Sequence, residues 1–142
     1  MRVLGWVLTV LAVLSVGAGA QETKKTIKHV PVTATSPTSG QEMYKAYCAV
    51  CHGTDGKGNG PAASALKMPA TDLTMLSKNN DGQFPDMKVI SVIRGEDSLP
   101  AHGSREMPVW GQLFWTMSHG HEGEVQQRVS NLTKYIESLQ AK

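Results

Sequence analysis

The sequence predicts an all-α domain of short helices and long loops, and three observations predict it. No segment reads as a convincing strand, and no internal repeat is visible. The final segment places Val125, Val129, Leu132, Ile136 and Leu139 at steps of 4, 3, 4 and 3, the apolar stripe of an amphipathic helix. The only two cysteines of the 142-residue chain stand close together, in the run Cys48-Ala49-Val50-Cys51-His52.

That run reads C-x-x-C-H, the attachment sequence of c-type haem. Each thiol can add across one haem vinyl group to give a thioether. Two intervening residues set the sulfurs about one helical turn apart, as the two vinyls require. His52 then lies under the iron, where its imidazole can serve as the proximal ligand. The same spacing also occurs in thioredoxin-like dithiols and in halves of zinc sites. A dithiol fold wants a βαβ pattern and a zinc site wants a second ligand pair; the sequence offers neither.

Residues 1–20 read as an export signal. Met1-Arg2 gives a positive start, Val3 to Val16 is almost entirely apolar, and Ala18-Gly19-Ala20 is a small-residue cleavage site. Cleavage before Gln21 predicts a periplasmic protein with no stable membrane insertion. The alternative is an uncleaved segment that anchors the chain, although its apolar run falls short of the ~20 residues of a spanning helix. No cysteine follows the apolar run, which excludes a lipoprotein. Residues 21–39 carry two prolines and many Ser and Thr without apolar period, and are expected to be a flexible tether. A strap lying across the domain is the other possibility.

Residues 40–142 then form one domain. They hold ten Lys and Arg against eleven Asp and Glu, net −1, with no basic stripe, so nucleic acid is excluded as a partner. A chain this short makes a marginal core. A covalent haem would add a large apolar body to pack on, so the haem-free protein is expected to fold poorly.

Each element follows from local pattern. Ser39-Gly40-Gln41-Glu42 fits a capping box, and Met43, Tyr44, Tyr47 and Val50 form a stripe leading into the motif. Gly53 should end that helix. Gly56, Gly58, Gly60 and Pro61 make a turn-rich loop that lacks the Lys-Ser/Thr ending of a phosphate loop. Ala62 to Met68 is expected as a short helix stopped by Pro69, and Asp72 should cap a turn or two through Ser77. After a loop through Phe84-Pro85, Asp86 precedes a helix over 87–94 that Gly95 stops. Residues 95–122 are expected to be irregular, and the C-terminal helix follows.

The sixth ligand of a haem iron decides between gas or peroxide chemistry and electron transfer. The candidates are Met43, Met68, Met75, Met87, Met107 and Met117, with His102, His119 and His121. Met107 is preferred. It lies in Arg105-Glu106-Met107-Pro108-Val109-Trp110-Gly111, where Pro108 disfavours helix at Met107 and holds its sulfur in an extended stretch. The other methionines mostly sit in apolar periods that core packing explains. His102 is next, a loop residue expected near the haem edge. His119-Gly120-His121-Glu122 reads as a solvated loop rather than a metal motif.

With C-x-x-C-H near its start, a glycine-rich loop, the M-P-x-W-G segment and an amphipathic C-terminal helix, the stretch 40–142 resembles class I c-type cytochromes. It is most similar to the short bacterial mono-haem domains found alone or attached to larger respiratory enzymes. The resemblance implies a cytochrome c fold, three to five short helices and long loops around one covalently bound haem. It implies haem c on Cys48 and Cys51, with His52 and Met107 as axial ligands. It implies that the first and last helices cross, Gly40 and Tyr44 against Leu132 and Tyr135. A proline carbonyl, here that of Pro61, would accept the proximal imidazole N–H. Trp110 would reach a haem propionate or serve as a core tryptophan.

The expected function is therefore one-electron transfer without catalysis. A monomeric carrier in a periplasmic respiratory chain would use redox proteins as donor and acceptor. The alternatives are an electron-transfer subunit docked to a periplasmic dehydrogenase or terminal oxidase, and a haem sensor or enzyme with an open sixth position.

Overall fold

The computed structural model describes residues 32–96 and 109–141. The expected signal, the expected tether up to residue 31, and the segment with His102, Met107 and Pro108 lie outside the described residues. Among the described residues the fold is all-α: five α-helices, one π-helical turn and three 3₁₀ turns, without strand.

The chain is already packed before the first helix. Arg128 donates to the Thr35 carbonyl at 2.9 Å, and the Asn131 side-chain amide donates to the Pro37 carbonyl at 2.9 Å. Thr35 is buried, and its hydroxyl meets that of Tyr47 at 2.9 Å. This end of the expected tether is thus a strap, held by side chain-to-backbone bonds rather than by apolar burial.

Ser39 then caps α1 (Gly40–Met43), its Oγ accepting from the Glu42 backbone N–H at 3.2 Å. A π-helical turn (Tyr44–Cys48) carries the helix into α2 (Ala49–His52), and Gly53 ends it at φ 78°. Burial follows four-residue steps through Tyr44, Cys48 and His52. The expected stripe through Val50 is corrected accordingly: Val50 is 48% exposed, on the other side of the helix.

Between residues 53 and 85 the chain makes only 3₁₀ turns, at Ala63–Ala65, Leu73–Met75 and Lys78–Asn80. The helix expected over Ala62–Met68 is a single such turn; Leu66 is already extended at ψ 143°. Asp72 caps as expected, accepting from the Thr74 N–H at 2.9 Å. Helix α3 (Asp86–Arg94) buries Val89 and Ile93 and stops at Gly95 in the left-handed region, φ 75°.

Helix α4 (Trp110–Met117) corrects the expectation that 95–122 is irregular. Trp110, Leu113, Phe114 and Met117 lie at i, i+3, i+4 and i+7, and all face or flank the core. Helix α5 (Glu122–Ser138) is the spine of the domain. Val125, Val129, Leu132 and Ile136 are each at most 4% exposed, worth about 1.5–3 kcal/mol apiece as buried aliphatic side chains.

The first and last helices cross at a point that only glycine permits. A Cβ on Gly40 would run into the Asn131 carbonyl oxygen and lie 2.9 Å from the Tyr135 Cβ. Beside it the rings of Tyr44 and Tyr135 meet with centroids 5.2 Å apart. The buried set of Met43, Tyr44, Leu132 and Phe114 places the core where α1, α4 and α5 converge.

Candidate functional site

Helix α2 is only four residues long, so its carbonyls need partners from elsewhere. The glycine-rich loop supplies them. Gly58 N–H donates to the His52 carbonyl at 2.8 Å, Gly60 N–H to Cys51 at 3.0 Å and Ala62 N–H to Val50 at 2.8 Å. Gly60 is needed for this approach, because a Cβ there would lie 2.5 Å from the carbonyl oxygens of Ala49 and Val50. On the other side the Tyr44 hydroxyl donates to the Gly53 carbonyl at 2.8 Å. Burial, aided by the neighbouring Cys48, pushes the Tyr44 phenol well up, so it stays protonated and keeps donating. The C-x-x-C-H run is therefore held along its whole length.

Cys48 and Cys51 are both free thiols, Cys48 buried and Cys51 partly exposed. Burial, with a smaller contribution from Cys51, pushes the Cys48 thiol up to about 12. Among the described residues no group of three His, Cys, Asp or Glu could hold a metal ion. The zinc reading thus lacks a second ligand pair among the described residues.

His52 is 9% exposed, and its Nδ1 lies 2.9 Å from the Thr71 carbonyl oxygen. A carbonyl only accepts, so in this bond Nδ1 carries the proton. The Thr71 stretch is fixed against the glycine loop: Leu73 N–H donates to the Gly56 carbonyl at 2.7 Å, and Gly58 packs on the Ala70 carbonyl. The expectation of Pro61 in this role is corrected to Thr71. Pro61 follows directly on Gly60, whose N–H faces the Cys51 carbonyl, and belongs to the turn that caps α2. Any residue type can offer a backbone carbonyl, so no side-chain signal marks Thr71.

The donor set fits a haem c. It contains two unbridged thiols at the attachment spacing, followed by an imidazole whose proton is committed away from the nitrogen that would bind iron.

The remaining candidates are spread out. Trp110 is 7% exposed and stacks on Tyr47 with ring centroids 5.0 Å apart and planes 28° apart; Phe114 completes the cluster. It is a core tryptophan that joins α4 to the turn just before Cys48. Met107 and His102 lie outside the described residues. Core packing explains Met43 and Met117, whereas Met68 and Met87 are 45% and 76% exposed, which the apolar-period reading does not anticipate. His119 and His121 lie in the exposed turn between α4 and α5, with His121 Nδ1 2.8 Å from the Ser118 carbonyl.

Arg128 is a polar anchor that sequence reading misses. It is 4% exposed and donates to Glu124 at 2.8 Å, to Ser118 at 3.3 Å and to the strap at Thr35. The i,i+4 spacing of Glu124 and Arg128 is a visible signal of the pair, though not of the strap it holds.

Comparison with curated proteins and with solved structures gives no match. Residues 35–118 match the family model described as cytochrome C oxidase, cbb3-type, subunit III. The match begins at the buried Thr35 of the strap, takes in the whole C-x-x-C-H helix with its glycine loop, and ends at the close of α4. Spanning more than half of the sequence and all of the site just described, it shows that the chain belongs to the family of cbb3-type cytochrome c oxidase subunit III.

Proposed function

We infer that this chain is the haem c-bearing electron-transfer subunit of a cbb3-type terminal oxidase, facing the periplasm. The observation that carries the reading is the His52–Thr71 hydrogen bond beside the unbridged Cys48–Cys51 pair, in a chain of this family. Subunits of this family pass electrons and are not themselves catalysts. The family match favours the docked subunit over a freely diffusing carrier.

A haem bound here supplies a one-electron ferric/ferrous couple. The chain's own residues do the rest. Cys48 and Cys51 would hold the group by thioether bonds, which would keep it from being lost during turnover. His52 offers Nε2, and the Thr71 carbonyl fixes its ring and raises its basicity. Met107 would offer its thioether to the iron as the second protein ligand. Tyr47, Trp110 and Phe114 form an apolar wall against the motif helix that limits water near it. Ligation by both His52 and Met107 would suit the group to electron transfer rather than to binding a substrate.

Absorption spectra of the exported chain in both oxidation states test the reading. Expected are low-spin bands and, in the ferric form, a weak near-infrared sulfur-to-iron band that Met107→Ala abolishes. Tight carbon monoxide binding by the ferrous wild type would overturn it in favour of an open sixth position. Co-purification with an oxidase, rather than recovery as a free monomer, is expected for the docked subunit.

A further inference from the structure

Past the end of α5, the Gln140 side chain uses both N–H donors and its carbonyl oxygen on one neighbouring segment and on its own helix. Its Nε2 donates to the Leu73 carbonyl at 2.7 Å and to the Ile136 carbonyl at 3.0 Å. Its Oε1 accepts from the Ser77 N–H at 2.8 Å. The next residue adds a fourth bond, Ala141 N–H to the Thr74 carbonyl at 2.8 Å. The stretch from Leu73 to Ser77 is therefore stapled to the C-terminus of α5.

That stretch begins two residues after Thr71, whose carbonyl holds His52 Nδ1–H. The contacts of residues 70–73 with Gly56 and Gly58 join it only to the glycine loop, which hangs on the carbonyls of α2. Leu73 and Leu76 also pack against the core, so the stretch is held by the loop and by apolar contact before any side-chain hydrogen bond is counted. Gln140 in addition ties the stretch to α5, which packs on the first helix at Gly40 and on Tyr44 just after it. A side chain that fixes 73 and 77 also fixes where the Thr71 carbonyl stands.

We propose that Gln140 is a positioning residue for the proximal ligand: it latches residues 73–77 to α5 and so keeps the Thr71 carbonyl on His52. The inference rests on the haem reading above, since only there does the orientation of the His52 ring have a functional consequence. A carbonyl held on Nδ1–H raises imidazole basicity and favours ferric iron. Loosening the latch weakens that bond, exposes the Nδ1 proton to solvent exchange and shifts the couple toward ferrous.

The test uses the full exported, haem-loaded chain. Gln140→Met keeps the size and removes all three side-chain bonds; Gln140→Glu keeps only the Ser77 bond and serves if the first variant does not fold. Arg128→Met is the control, because it breaks a polar network in the first half of α5, around Glu124, Ser118 and Thr35. Expected for either Gln140 variant are Nδ1–H exchange in the ferrous protein at least tenfold faster and a positive shift in midpoint potential. A tenfold change in the ferric/ferrous ratio corresponds to about 59 mV for one electron. Arg128→Met should lower the melting temperature and move neither reading. If the Gln140 variants lower the melting temperature and likewise leave exchange and potential unchanged, the inference is overturned while the haem reading stands. A wild-type chain without covalent haem overturns both.

Discussion

Tyr44, one turn before the haem motif, and Tyr135, near the end of α5, meet ring to ring with centroids 5.2 Å apart and planes inclined at 51°. The contact stands beside Gly40, and the Tyr44 hydroxyl reaches on to the Gly53 carbonyl at the far end of α2. One side chain thus connects the helix crossing to the residue that follows His52. The stability of the fold and the geometry of the site are coupled at this point.

Gly40→Ala should destabilise the domain, although alanine is normally worth about 1 kcal/mol more than glycine within a helix. The new methyl group would meet the Asn131 backbone. Overpacking of this kind costs about 1–3 kcal/mol. Thermal melting of the variant checks the sign, and a raised melting temperature would show that the crossing is looser than described.

Tyr44→Phe keeps the ring contact and removes a buried donor. The Gly53 carbonyl loses its partner, and a loss of about 1–2 kcal/mol is expected in denaturant unfolding. An unchanged midpoint would mean that the hydroxyl contributes nothing to holding the motif's end.

Acid should loosen α5 and the strap together. The hydrogen bonds from Arg128 and Ser118 hold the Glu124 carboxyl below the usual carboxylate range. Because the folded value is depressed, the stabilisation is complete above the unfolded glutamate value of about 4.3 and is lost as pH falls through the folded value. Melting temperatures from pH 7 down to pH 3 should fall less steeply for Glu124→Gln than for wild type. Parallel curves would remove Glu124 from the acid transition.

The strap has its own test. Arg128→Met removes the bonds to the Thr35 carbonyl and to Glu124, and charged hydrogen bonds of this kind are worth about 1.5–3 kcal/mol each. Limited proteolysis should then cut within residues 32–39 several-fold faster than in wild type. Equal rates would show that the Asn131 contact with Pro37 suffices to hold the segment.

Much of this architecture is legible in the sequence, for identifiable reasons. Ser39, Gly95 and the 4-3-4-3 stripe of α5 are local signals, and the structure follows them. The spacing of Trp110, Leu113, Phe114 and Met117 was equally available, yet the glycines and prolines around Met107 hide it and α4 reads as loop. The end of the expected tether escapes because Thr35 and Pro37 are held through backbone carbonyls by Arg128 and Asn131, 93 and 94 residues away in the chain. Thr71 escapes for the same reason: its contribution to the site is a carbonyl, which any residue would provide.

The most direct measurement is the mass of the tryptic peptide Ala46–Lys57 from exported, acid-denatured and acetone-washed protein. A covalent haem on Cys48 and Cys51 predicts that this peptide carries the haem mass and that neither cysteine can be alkylated. A peptide of unmodified mass with two alkylatable thiols would contradict the account at its root.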